Sequence, residues 1–198
     1  ATRDDVLSVF VGIRPLVRAG TGANTASLSR DHTIHIDPSG LLTIAGGKWT
    51  TYRHMAEDCV DHAATLARLP EKPCVTRNLN VHGFHVQAQN FGALAVYGSD
   101  ALLIQDLIRA EPSLATPLHP ALPYCGAEVV WAARVEMART VEDVLARRTR
   151  ALFLNARAAV DMAPETARLL ARELGRDEAW QTQQVEAFRT LAGGYLVG

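Results

Sequence analysis

A pair of adjacent glycines between a strand pattern and a helix pattern constrains this chain more than any other feature. The apolar segment Leu41–Ala45 is typical of a strand, and Gly46 and Gly47 follow it directly. Apolar residues then recur at helical spacing from Tyr52 to Leu66. This order places the unpaired N–H groups of a helix N-terminus beside a backbone that a ligand can approach closely. The turn therefore indicates a site for an anionic or electron-rich group.

Two more strands are predicted before this turn. Val6–Val11 is a continuous apolar run, which is typical of a strand buried on both faces. Thr33–Ile36 alternates, and Asp37–Gly40 carries turn residues, so these segments predict a hairpin with Leu41–Ala45. Arg18–Ser29 is rich in Gly, Ala, Thr and Asn and is predicted to be a loop.

The sequence after Pro70 predicts a change of architecture. Residues 71–91 lose periodicity and form a predicted linker, and residues 92–198 carry mainly helical signals. We therefore predict an α+β chain, in which a β segment with one helix (residues 1–70) precedes an all-α domain (residues 92–198). Pro112–Pro123 is predicted to be a connection. The predicted helices are Ala101–Ala110 capped by Asp100, Ala127–Met137, one opened by Thr140–Asp143, one with Pro164 in its first turn and Gly175 at its end, and one from Asp177 to Gly193.

Composition excludes several classes of function. The formal net charge is −1, so the chain does not have the excess of basic residues expected of a general nucleic-acid binder. No apolar run approaches the roughly 20 residues that span a bilayer. The three cysteines form no CxxC pair, and the pairs His32/His35 and His82/His85 have no third ligand nearby in sequence, so no metal site is predicted.

Three cations lie beside predicted strand ends. Arg14 follows the first strand, Arg30 precedes the hairpin, and Lys48 opens the helix. Together they could bind one phosphate group, because guanidinium and ammonium groups suit its oxygens. Taken singly, each is more often a solvated surface charge, and the glycine turn can also be an ordinary strand-to-helix connection. A Walker A loop is excluded because Leu42 and Trp49 stand where that motif requires Gly and Ser/Thr.

The motifs of this chain resemble those of FAD-dependent glycerol-3-phosphate dehydrogenases and the related oxidases, in the same order and approximate spacing. The matching segments are Val11–Leu16, Ser29–His32, Gly46–Arg53, Tyr97–Ser99, Glu128–Trp131 and Arg139–Arg150. The resemblance covers almost the whole chain and is weakest over its last thirty residues.

The resemblance implies oxidation of sn-glycerol 3-phosphate to dihydroxyacetone phosphate, with hydride transfer to FAD and electrons passed to a quinone. It implies a catalytic Arg14 near the reacting carbon, and it places Arg14, Arg30 and Lys48 in the substrate site. The residues implied to contact the flavin are Gly46, Gly47, Lys48, Trp49, Thr50 and Thr51. It further implies a cytoplasmic protein, and it is compatible with peripheral attachment to the inner membrane and with a homodimer.

One element of the family pattern is absent. No G-x-G-x-x-G fingerprint for the FAD pyrophosphate occurs in this sequence, and no histidine matches a family general base. We therefore expect the FAD-binding half of the protein to lie before Ala1. We also expect the chain alone to lack turnover. Two alternatives stay open: a non-catalytic helical module for dimer or membrane contacts, and an oxidase that uses oxygen. For Arg147, Arg148 and Arg150 we favour a solvated helix face, with ion pairs to Glu142 and Asp143, over a docking surface.

Overall fold

The computed structural model describes residues 2–13, 17 and 31–197, and its contacts divide the chain into two units. We call Gly12–Val81 the hairpin unit, and Ala1–Val11 together with His82–Gly198 the helical unit. Both contain helix and antiparallel strands, so the α+β class predicted from the sequence is confirmed.

The hairpin unit begins with the predicted antiparallel pair. Strands β1 (His32–Ile36) and β2 (Leu42–Gly46) pair with Ile34 opposite Ile44. The carboxylate of Asp37 accepts the N–H of Ser39 at 2.8 Å, and Gly40 adopts a φ of 87°. The turn chemistry of Asp37–Gly40 therefore closes the hairpin as its sequence predicts.

One helix follows the hairpin. A 3₁₀ turn, Trp49–Thr51, leads into α1 (Tyr52–Leu66). The helical periodicity that starts at Tyr52 is thus confirmed, but the helix stops before Pro70 because Ala67 already leaves helical conformation. No described residue of this unit is buried. A two-stranded hairpin with one helix is marginally stable without further packing, so we expect this unit to require a partner surface.

The helical unit contains the core. Helix α5 (Ala156–Leu174) packs against α6 (Glu178–Gly193) and α3 (Gly126–Arg134). Helix α2 (Ala101–Ala110) and the short α4 (Ala151–Leu154) complete the layer, with a π-helical turn at Asp143–Arg148. The large apolar side chains that are fully buried are Ile104, Val129, Val130, Val141, Val144, Leu145, Leu152, Met162, Leu169, Leu170 and Phe188.

Several helix ends follow their predicted caps. Asp177 accepts the N–H of Trp180 at 2.8 Å at the start of α6, and Gly175 ends α5 with a φ of 64°. Thr140 and Asp143 exchange hydrogen bonds, since the Thr140 hydroxyl accepts the Asp143 N–H and the Asp143 carboxylate accepts the Thr140 N–H. Asp100 occupies the predicted N-cap position of α2, but its side chain does not cap the helix, because its carboxylate binds His82 Nε2 at 2.7 Å.

Helix α5 starts earlier than its sequence predicts. Pro164 was expected in the first turn, but it lies in the middle of the helix. The side chain of Asn155 accepts the N–H of Ala158 at 3.1 Å, so the cap lies nine residues before Pro164. The interior proline removes one hydrogen bond, and the buried apolar face of α5 offsets that loss.

A second hairpin lies in the segment predicted to be a connection. Strands β3 (Pro117–His119) and β4 (Leu122–Cys125) pair antiparallel with an irregular register. Its strands are only three and four residues long, and proline is tolerated in such edge positions. The helical unit therefore contains a short sheet as well as helices.

The apolar run Val6–Val11 is not a buried strand, so that prediction is wrong. The carbonyl of Leu7 accepts the N–H of Ala156 at 3.0 Å, and the N–H of Val9 donates to the carbonyl of Tyr195 at 2.9 Å. Its backbone groups are thus satisfied by helix ends and the C-terminal segment, and no described strand pairs with it. The side chain of Val11 is 95% exposed.

One segment of the helical unit, Ala88–Ala110, is long and apolar enough to span a membrane by length and composition alone. Its backbone leaves helical conformation at Gly92 (φ 58°, ψ −124°) and Gly98 (φ 54°, ψ −122°), so 3₁₀ turns over Ala88–Asp100 precede α2. At Gly98 the backbone of Gly83 approaches closely: an added Cβ would overlap the Gly83 carbonyl oxygen and lie 2.8 Å from its carbon.

We predict that Gly98→Ala destabilises the helical unit far more than Gly92→Ala. Both glycines share one backbone conformation, but no atom lies within 4 Å of a Cβ added at Gly92. Backbone strain alone should cost about 1 to 2 kcal/mol at Gly92, whereas strain plus the clash with Gly83 should cost about 4 kcal/mol at Gly98. Urea unfolding followed by helical circular dichroism measures both, and equal losses would contradict the close approach.

A second prediction concerns the buried Glu128 of α3, which is 1% exposed. Burial raises the pKa of this carboxyl, although hydrogen bonds from the Cys125 N–H and the Tyr97 hydroxyl oppose the rise. A raised folded pKa adds stability at acid pH, and that stability is lost as pH rises through the folded pKa. We therefore expect Glu128→Gln to lessen the fall in unfolding free energy between acid and mildly alkaline pH.

The same titration on Glu186→Gln, which changes an exposed carboxyl of α6, is the control and should keep the wild-type pH dependence. The partly buried Glu136, whose pKa is also raised by burial, remains in both variants. A Glu128→Gln profile identical to the wild-type profile would contradict the assignment.

Candidate functional site

The turn from β2 to α1 requires glycine at two consecutive positions. Gly46 has a φ of 81° and Gly47 a φ of 79°. A Cβ at Gly46 would lie 2.9 Å from the carbonyl oxygen of Asp31, and a Cβ at Gly47 would lie 2.7 Å from Cε of Met55. Side chains are therefore excluded by conformation and by space, and of the two residues Gly46 is exposed to solvent.

The helix N-terminus after this turn has no side-chain cap. The N–H and the hydroxyl of Thr51 both donate to the carbonyl of Lys48, at 3.0 and 3.1 Å. The Thr51 side chain therefore bends back towards Lys48, and no side-chain hydrogen bond caps α1 or the preceding 3₁₀ turn. Uncapped N–H groups carry the positive end of the helix dipole, so this turn can bind an anion or a polarised carbonyl.

Two exposed side chains flank these N–H groups. The backbone of Lys48 is in an extended conformation, and the residue is solvent-exposed. Trp49 is 85% exposed, and its ring stacks on Tyr52 with centroids 5.2 Å apart and planes 23° apart. The turn therefore presents an ammonium group, an aromatic face and free N–H donors on one short segment. Such a set suits a ligand that combines a flat ring with negative charge.

Only part of the predicted site falls on described residues. Gly46, Gly47, Lys48, Trp49, Thr50 and Thr51 are described, and all belong to this one turn. Arg14 and Arg30 lie outside the described residues. Convergence of Arg14, Arg30 and Lys48 on one phosphate thus stays a prediction.

A histidine–aspartate pair that the sequence did not reveal lies beside the turn. Nε2 of His32, on β1, is 2.7 Å from Oδ2 of Asp58, on α1. This hydrogen bond is the main reason that the pKa of Asp58 is lowered. Twenty-six positions separate the two residues, so no local signal links them. Among the described residues no group of His, Cys, Asp and Glu is arranged to hold a metal ion.

A separate cavity of about 610 Å³ lies in the helical unit, against the β3–β4 hairpin and the start of α3. Its lining is mainly apolar, with Cys125 and Glu128 at the wall. Glu128 is already bonded to the Tyr97 hydroxyl (3.1 Å) and the Cys125 N–H (2.8 Å), and burial raises the pKa of the Cys125 thiol. A protonated thiol and a satisfied carboxyl are poor nucleophiles, so the chemistry points to the turn.

Comparison with known proteins agrees with this choice. The family model described as the C-terminal domain of alpha-glycerophosphate oxidase matches residues 42–181, which include all of β2, the glycine turn and α1. The family resemblance predicted from the motifs is therefore confirmed.

Similar proteins carry consistent names. The "probable glycerol-3-phosphate dehydrogenase, mitochondrial" of Caenorhabditis elegans is 41% identical over 96% of this chain and 29% of its own length. The mitochondrial glycerol-3-phosphate dehydrogenase of Homo sapiens is 37% identical over 94% of this chain and 28% of its own length. The chain thus spans less than a third of either relative.

A solved structure has the same fold. The glycerol-3-phosphate dehydrogenase of Bacillus halodurans, complexed with FAD, aligns with all of this chain and 42% of its own, at 25% identity and a TM-score of 0.72. With the family model matching most of its length, the chain belongs to the family of C-terminal domains of glycerol-3-phosphate oxidases and dehydrogenases.

Proposed function

We propose that this chain forms the C-terminal part of an FAD-dependent enzyme that oxidises sn-glycerol 3-phosphate to dihydroxyacetone phosphate. The observation that carries the proposal is the Gly46–Thr51 turn, which combines an open backbone, an uncapped helix N-terminus and Lys48 in a member of this family. The G-x-G-x-x-G fingerprint is absent from these 198 residues. The proposed activity therefore needs an FAD-binding half that this chain does not supply.

The turn fits the role proposed for it towards the flavin. Reduced flavin carries negative charge around N1 and the C2 carbonyl, and the positive end of the helix dipole at the Trp49–Thr51 turn would stabilise that charge. Gly46 is exposed and carries no side chain, so the edge of the flavin could approach the backbone there. Bound FAD would supply the acceptor for a hydride.

The cations of the chain are proposed to act on the substrate. Lys48 and Arg30 would bind the phosphate group, which fixes C2 of glycerol 3-phosphate relative to the flavin and uses remote binding energy for orientation. Arg14 would lie at the reacting end, where a guanidinium stabilises the negative charge that the C2 oxygen gains as its hydroxyl loses its proton. The C2 hydroxyl also loses its proton, and we assign no proton acceptor to this chain.

The electron acceptor is a finer point of the same proposal. We favour a quinone, in keeping with the dehydrogenase names of the relatives. The family model takes its name from an oxidase, so oxygen is the alternative acceptor. The yield of hydrogen peroxide per glycerol 3-phosphate consumed separates them: one equivalent indicates an oxidase, and a trace with quinone reduction indicates the dehydrogenase.

For the complete protein we further propose a cytoplasmic location with peripheral attachment to the inner membrane, where a quinone is accessible, and a homodimer. Fractionation of cells with and without a salt wash tests the attachment, and sedimentation at several protein concentrations tests the dimer.

A non-catalytic interaction module is the second candidate function. The exposed apolar side chains of the hairpin unit favour a contact surface, for example Val75 (77% exposed) and Val81 (64% exposed). The arginines of the helical unit count against a basic docking surface, since Arg147 is paired with both Glu142 and Asp143, as predicted. A lipid-indifferent, monomeric helical unit would count against this second function.

We predict that Arg14→Ala and Lys48→Ala abolish or greatly slow anaerobic bleaching of bound FAD by glycerol 3-phosphate in the complete protein. Loss of one charge-assisted contact to phosphate costs about 2 to 3 kcal/mol, so Lys48→Ala should raise the substrate concentration for half-bleaching about 30- to 150-fold. Stopped-flow absorbance measures the effect.

Lys72→Ala is the matched control, because Lys72 is the only other lysine of the sequence and is also exposed. It should bleach like the wild type. No bleaching of the wild-type protein would overturn the proposed activity. Normal bleaching in Lys48→Ala, with wild-type bleaching intact, would overturn only the site assignment.

A further inference from the structure

The pair formed by His32 and Asp58 connects the two elements on either side of the glycine turn. His32 is the first residue of β1, and Asp58 lies in the second turn of α1. Asp58 is ionised at neutral pH, because its pKa is lowered by the hydrogen bond to His32. The carboxylate can only accept, so Nε2 of His32 must carry the proton and donate it over 2.7 Å.

The pair also borders the turn itself. His32 stands opposite Gly46 in the β1–β2 register. A Cβ placed at Gly47 would lie 3.3 Å from Cβ of His32, on the same side as Met55. The His32 side chain is 14% exposed and that of Asp58 37% exposed, so the imidazole end of the hydrogen bond is the more shielded from solvent. The pair therefore limits the movement of the backbone that leads directly to Lys48.

Two other histidines contact the pair from α1. The ring of His54 meets the ring of His32 edge to face, with centroids 5.8 Å apart. Nδ1 of His62 lies 2.8 Å from the carbonyl oxygen of Asp58 and 3.2 Å from Oδ1. Oδ2 faces β1 and Oδ1 faces His62, so Asp58 uses one carboxylate oxygen for the link between elements and the other within its helix.

Chain connectivity extends the effect of the pair. His32 is two residues after Arg30, while Lys48 is two residues after Gly46, which His32 faces. One hydrogen bond thus fixes the end of each segment from which a proposed phosphate-binding side chain departs.

We propose that the His32–Asp58 pair positions the phosphate-binding end of the glycerol 3-phosphate site. This inference rests on the proposed function. His32 and Asp58 are positioning residues: they hold the turn that carries Lys48, and they need not touch the substrate. Loss of the pair should weaken binding of the phosphate group in the ground state and the transition state alike, which raises KM more than it lowers kcat.

The test compares variants of the complete, FAD-loaded protein. His32→Phe keeps a ring and removes the hydrogen bond, and Asp58→Ala removes the same bond from the other side. Each should raise KM for glycerol 3-phosphate and the inhibition constant of inorganic phosphate about tenfold, with kcat changed less than about threefold. His32→Gln, whose amide N–H can reach Asp58, should restore most of the wild-type KM.

His62→Ala is the matched control. It removes the contact to the other carboxylate oxygen but leaves the link between β1 and α1 in place, so KM should stay at the wild-type value. A readout without turnover is hydrogen exchange in the FAD-free protein: the amides of Gly47 and Lys48 should exchange faster in His32→Phe than in the wild type, and those of the hairpin turn at Ser39 and Gly40 should not.

The outcomes separate the two proposals. A wild-type protein that glycerol 3-phosphate does not reduce overturns the proposed function. Wild-type reduction with an unchanged KM in both His32→Phe and Asp58→Ala overturns the positioning role and leaves the function standing. A KM that rises equally in His32→Gln and His62→Ala also overturns it, because the effect would then not depend on the hydrogen bond between the two elements.

Discussion

Two consecutive residues in the left-handed region, Gly46 and Gly47, decide how β2 passes into α1, and the candidate site depends on that passage. Their conformation reverses the chain over so few residues that the helix starts directly beside the strand from which it came. Neither position tolerates a side chain, and Gly46 is exposed to solvent. The same geometry leaves Thr51 bonded to the Lys48 carbonyl and the helix N-terminus uncapped.

Stability and chemistry are divided between the two units. The buried apolar residues all belong to the helical unit, whereas no described residue of the hairpin unit is buried. A site on a unit without a core is held in place only by local hydrogen bonds and by whatever packs against it. This explains why a single polar pair such as His32–Asp58 can matter there, while a comparable exposed pair on a well-packed helix would contribute little.

Local signals predicted the parts of the fold that local physics determines. The hairpin β1–β2 and the starts of α1 and α6 follow from alternation, turn residues and caps within a few positions of each other. The errors arose where the deciding contact is distant or where one residue type dominated the pattern. Pro164 suggested a later start for α5 than the cap at Asn155 gives it. The prolines of Pro112–Pro123 suggested a connection without strands, where the β3–β4 hairpin lies.

The candidate site, like the fold, was predictable from the sequence only where its residues are close together in the chain. The glycine turn and Lys48 are adjacent in sequence and were found together, but the bond between His32 and Asp58 depends on how β1 packs against α1. Glu128 was recognised only as part of a motif, because nothing in its neighbourhood indicates that Tyr97, thirty-one positions away, donates to it. The predicted convergence of Arg14 and Arg30 on one phosphate with Lys48 involves two residues outside the described part of the chain.

The family resemblance of this chain therefore has two physical origins. In the helical unit the matching motifs coincide with structural contacts: Tyr97 with Glu128, Gly98 against Gly83, and Thr140 with Asp143. In the hairpin unit the matching motif is the glycine turn, which can bind a ligand. Contacts that only stabilise a fold can be shared by enzymes that differ in their chemistry. The match over the helical unit is therefore evidence of a shared fold, and the proposed chemistry depends on the turn of the hairpin unit.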